Sequence, residues 1–172
     1  DLLLYGESER QLQQVTSQRF QESQQGAMQA SLIREQVDAL VAAKLQGIAV
    51  PIAVNQLLEE GWKHVLYLAG LRYGIDSEDW RIAADVLDQL VDTLHAPEYY
   101  PSRTSFLIRL PALLRKLREG LLFIQLAPAV INQLFADLEA EHKQVALRIR
   151  DSELDDAALD TARLAAQSVH LA

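Results

Sequence analysis

Three pairs of side chains stand at spacings that could hold a metal ion on a helix. Glu139 and His142 form a Glu-x-x-His pair, Asp92 and His95 are also three apart, and Glu60 and His64 are four apart. Positions three and four apart share a helical face, and a Glu-x-x-His pair supplies half of a carboxylate-bridged di-metal site in a bundle. The other half needs a second such motif and two more inward carboxylates, and the chain has one Glu-x-x-His only. His142 recurs with Leu134 and Leu138, so it reads as a core or interface histidine, whereas Glu139 falls outside that stripe. His95 sits where a histidine suits the negative end of a helix. Nucleophilic chemistry finds no footing: there is no cysteine and no Gly-x-Ser-x-Gly elbow. Glu59 and Glu60 are neighbours, but adjacent helical residues diverge by about 100°, too far to share a proton. Trp62 and Trp80 could stack on a base, yet each lies in register with leucines and is better placed in a core. The expectation is no catalytic residue, no metal and no cofactor, hence not an enzyme.

Charge leaves one candidate surface. From Asp76 to Glu98 there are seven acids against the single base Arg81; from Arg103 to Arg118 there are five bases and no acid. Two readings stay open. Helices joined by a short loop are usually neighbours, so the acidic run could face the basic one and set their register, each exposed contact contributing less than about 1 kcal/mol. Alternatively Arg103, Arg109, Arg115, Lys116 and Arg118 are left open for a phosphate group or an acidic partner. A net charge of −8 argues against nucleic acid, which is bound by concentrated positive charge.

These residues must be positioned by helices. At 172 residues, 49% hydrophobic, with seven glycines and five prolines, the chain is about one domain with a real core. The predicted fold is all-α: an antiparallel bundle of five to six helices with short connections. Residues 1–31 form a glutamine-rich lead with a broken stripe (Leu12, Val15, Phe20), read as a solvated helix or a linker that frays or pairs between chains. The core spans 32–150. Its first stripe runs through Ile33, Val37, Leu40 and Val41 and stops near Gly47. Pro51 suits the first turn of the next helix, which buries Val54, Leu58, Trp62, Val65 and Ala69 and ends at Gly74. Asp76 and Ser77 are candidate N-caps for a helix carrying Trp80, Ala83, Leu87, Leu90 and Leu94, with Glu78 and Asp79 in its positive first turn. Ala96–Pro101 reads as a loop. Ser102 or Thr104 caps a helix bearing Leu107, Leu110, Leu114, Leu117 and Leu121, with a kink or break at Pro111 near Arg109. The last core helix starts at Pro128 and holds Ile131, Leu134, Leu138, His142, Val145 and Ile149. After Asp151–Ser152, residues 151–172 read as a peripheral helix or tail. No apolar run is long enough to span a bilayer. The absence of cysteine fits a reducing cytoplasm, and a start at Asp1 is expected of a fragment.

The run Leu45-x-Gly47-x-x-x-Pro51, then Leu58-x-x-x-Trp62-x-x-Val65-Leu66, then Gly74-x-x-Ser77-x-x-Trp80 resembles a bacterial family catalogued as domain of unknown function 1631. Leu110-Pro111-x-Leu113-Leu114-x-x-Leu117-Arg118-x-Gly120-Leu121 is similar to it too, so the likeness covers about residues 33–145. Two departures stand out. Leu90-Val91-Asp92-Thr93-Leu94 replaces an aromatic-rich segment, and the family's small β-barrel region is absent. The resemblance implies a cytoplasmic multidomain protein connected with cyclic-dinucleotide signalling. The thymidine phosphorylase label sometimes given to the family finds no phosphate-binding loop here. Together these readings predict a non-enzymatic protein-interaction or self-association module. The alternative is a ligand-binding module that holds a phosphate-bearing molecule, such as a cyclic dinucleotide, on 103–118.

Overall fold

The computed structural model describes the backbone of residues 2–95 and 100–170, and the side chains of 6–95, 100–149 and 161–167. Within these residues the chain is all-helical: α1 (Leu2–Leu45), α2 (Ile52–Leu57), a π-helical turn (Leu58–Trp62), α3 (Lys63–Tyr73), α4 (Glu78–Leu94), α5 (Arg103–Phe123) and α6 (Pro128–His170). The helical bundle foreseen from the apolar spacing is the observed fold. The loop expected at 96–101 falls largely on 96–99, outside the described residues.

Helix ends follow local chemistry. Ser77 caps α4, its Oγ accepting from Trp80 N at 3.2 Å and donating to the Gly74 carbonyl at 2.6 Å. Of the two candidates for α5, Ser102 does the capping, accepting from Ser105 N at 3.1 Å. Pro51 stands just outside α2 and its carbonyl accepts from Asn55 N, so its missing N–H leaves no helical bond unmade. Gly74 stops α3 at φ 92°, a conformation that a side chain resists.

Val54, Leu58, Trp62, Leu66 and Gly70 are all buried and recur every four residues. In a regular α-helix such a row slips around the axis by about 40° per step. The π-turn at Leu58–Trp62 winds more widely and takes up that slip, keeping the row against the core. The same shift of phase leaves Val65 and Ala69 only half-buried while Leu66 and Gly70 go inside. The main core gathers this row with Ile33, Val37 and Val41 of α1, Leu87 and Leu90 of α4, Leu117 and Leu121 of α5, and Ile131 and Leu138 of α6. Trp62 lies at its centre, 2% exposed, its Nε1–H donating to the Ala83 carbonyl at 2.9 Å. Trp80 is half-buried on the flank of that core rather than inside it.

Three glycines let the helices close in. A Cβ on Gly61 would run into the Leu121 side chain, one on Gly120 would sit within 2.7 Å of the Trp62 ring, and one on Gly70 would reach the Trp80 ring at 3.0 Å. A smaller, separate cluster of Phe106, Val145, Ala146 and Ile149, flanked by Tyr100 and Leu110, holds the start of α5 to α6.

Three readings need correction. Of the kink or break expected at Pro111, the break is absent: helix α5 continues through Pro111, which lies on the exposed side. Its buried line is Phe106, Leu113, Leu117 and Leu121, while Leu107 is exposed. Finally, α6 continues through Asp151–Ser152 without a stop.

Candidate functional site

Among the described residues, the buried polar side chains Thr93 and His142 form one constellation, with His142 on the apolar face as its spacing implied. His142 is 3% exposed, and its Nε2 lies 3.1 Å from Thr93 Oγ1 of α4. Thr93, itself fully buried, donates its hydroxyl to the Leu90 carbonyl at 2.6 Å. A carbonyl can only accept, so the Thr93 proton is committed there, and Thr93 Oγ1 must accept from His142 Nε2–H. That fixes the neutral tautomer, with Nδ1 bare. Nδ1 is buried without a partner, and burial holds the imidazole down to about 4. The Phe106 ring stands edge-on to it, centroids 5.9 Å apart. Chemically this is a neutral tie between α4 and α6, set beside a groove that His142 lines together with Arg103, Glu139 and Lys143.

Among the described residues, no third ligand joins any of the metal-spacing pairs. Glu139 is exposed and pairs with Lys143 at 3.2 Å. Glu60 and His64 are both exposed. Asp92, beside His95, has its carboxyl pushed up by burial first and by Asp88 second. Among the described residues no three His, Asp or Glu side chains converge as a metal set.

The five bases of α5 fan around the helix instead of meeting at one point. Arg109 stacks on Tyr100 at 5.7 Å and Arg118 on Phe135 at 4.5 Å. Lys116 lines a groove with Asp79 and Glu119, Arg103 borders a different groove between α5 and α6, and Arg115 is exposed. Successive residues turn by about 100°, so the spacing 103, 109, 115, 116 and 118 spreads these groups over most of the circumference. The charge register foreseen between α4 and α5 is also absent from the ion pairs among the described residues. The acids of α4 turn elsewhere: Asp88 pairs with Lys44 of α1 at 2.7 Å, and Glu78 with Arg81 of its own helix. Lys63 of α3 joins Asp38 of α1 and Glu59.

One surface feature escaped sequence reading: an apolar groove of about 480 Å³ where α3, α4 and α5 meet, floored by Trp62, Val65 and Ala69 and rimmed by Tyr73, Ile82 and Phe123. The rim residues come from three helices, so no single stripe announces them. In α1, whose glutamine-rich start reads as a solvated helix, every residue from 7 to 29 is exposed, including Leu12, Phe20 and Met28. No helix among the described residues is long and apolar enough to cross a membrane.

Fold and surface together define an all-helical domain. The chain belongs to the DUF1631 family: the model described as "Protein of unknown function (DUF1631) third domain" matches residues 23–139. No curated protein and no solved structure matches the chain.

Proposed function

We propose that this domain is a non-enzymatic docking module of a larger bacterial cytoplasmic protein, and that the first half of α1 engages a partner protein or a second copy. The observation that carries this reading is the exposed helix from 7 to 29, which presents Leu12, Val15, Phe20 and Met28 to solvent. An isolated helix of this length is marginal in water because nucleation is costly, so a partner that covers these four apolar groups would stabilise it. The alternative, a phosphate-bearing ligand held on 103–118, calls for convergent cations, and those residues diverge. The test is affinity capture and light scattering on the full-length protein carrying Phe20→Glu and Met28→Glu. The reading expects lost partners or a lost dimer with an unchanged unfolding midpoint. An unchanged set of partners and an unchanged mass would sink it.

A further inference from the structure

Two surfaces of this domain are complementary but cannot meet within one molecule. The first is the groove between α3, α4 and α5. Its floor is apolar, and Ile82 on its rim is 51% exposed. The helix that carries Ile82 also presents three exposed acids, Glu78, Asp79 and Asp85, against Arg81, with Asp76 exposed just before its cap. Asp79 and Glu119 line the groove, with Lys116 the cation among them. The second surface is the outer face of α5. Ile108, Pro111 and Arg115 recur three and four apart, and Leu107 stands four before Pro111, so these residues cluster on one side of the helix. All four are exposed, and Ile108, at 71%, is among the most exposed aliphatic side chains of the domain. No acid interrupts this helix before Glu119.

We propose that a second copy of this chain docks the outer face of its α5 into the groove, Ile108 entering between Tyr73, Ile82 and Phe123 while Arg115 meets the acids of α4. The argument for a second copy is charge complementarity within the one sequence. Asp79 of α4 and Arg115 of α5 belong to packed helices and are both exposed, and neither enters an ion pair among the described residues. An apolar anchor entering a pocket within a charged rim is the ordinary anatomy of a protein interface. Because donor face and receiving groove are different surfaces, the contact is head-to-tail, and it closes into a ring or extends. The inference deepens the docking reading at a surface distinct from α1.

The experiment is sedimentation of the 172-residue chain over a concentration series, with Ile108→Glu and Ile82→Glu variants alone and mixed. Both sites are exposed, so unfolding midpoints should stay near wild type. The wild-type mass should rise with concentration, each variant alone should stay monomeric, and the mixture should form a one-to-one pair. That pair arises because Ile108→Glu retains an intact groove and Ile82→Glu retains an intact donor face. Arg115→Glu should weaken the wild-type association in the same direction. A wild-type chain that stays monomeric throughout overturns the inference, as does loss in both variants without recovery on mixing. Association that survives both substitutions belongs to α1; it overturns this contact and leaves the docking reading standing.

Discussion

The two ends of this bundle bury polar atoms in opposite ways. At the main core, Trp62 offers one polar atom, and the Ala83 carbonyl takes it at 2.9 Å. At the far end, His142 offers two nitrogens; Thr93 serves one and nothing serves the other. An unpartnered buried acceptor costs free energy that a satisfied one does not. The main core should therefore be strong and indifferent to pH, while the Phe106–His142 end should be the weaker of the two and should fail first in acid.

The sharpest test of the strong half is Trp62→Ala. Removing a fully buried indole that touches Gly120 should cost about 3–5 kcal/mol, read as a lower midpoint in chemical denaturation. A wild-type-like midpoint would mean the centre of the core lies elsewhere.

For the weak half, the sign follows from the lowered imidazole. The folded His142 titrates at about 4 and the unfolded one near 6.5. Between those values the unfolded chain binds a proton that the folded chain refuses, so stability is full above about pH 6.5 and falls as pH drops toward 4. A separation of about 2.5 units amounts to about 3 kcal/mol. His142→Leu should flatten that part of the stability–pH curve. An unchanged slope would place the acid sensitivity on other groups.

Overpacking sharpens the comparison from the strong side again. Gly120→Ala puts a methyl against the Trp62 ring, and a well-packed core responds to such insertion with a loss of about 1–3 kcal/mol. Gly26→Ala in α1, where a Cβ meets nothing within 4 Å, should instead stabilise slightly through helix propensity, by under about 1 kcal/mol. Thermal unfolding of the two variants reads the difference directly. The smallest effect belongs to Phe20→Glu on exposed α1, expected within about 0.5 kcal/mol of wild type.

Much of this was legible along the chain. The stripe Ile131, Leu134, Leu138, His142, Val145 and Ile149 was buried as the period required, because a helix with one apolar face has only one way to turn it. Ser77, Gly47 and Gly74 marked helix ends through local backbone chemistry, which needs no distant partner. His142 was placed in the core by register alone. Its bond to Thr93 was not foreseeable, since the two residues are 49 positions apart and only the docking of α6 on α4 brings them together.

What the sequence by itself determined is thus the helices, their caps and most of their inward faces, all properties set within a turn or two of chain. The tertiary structure decided the rest. It chose Phe106 over Leu107 as the inward residue at the start of α5, because that turn packs against Val145 and Ile149. It inserted a π-turn so that a four-residue repeat could stay on one line. It used Gly61, Gly70 and Gly120 as close contacts between helices. It also scattered the α5 bases and left a groove rimmed by three helices, since a side chain's surroundings depend on which elements pack beside it.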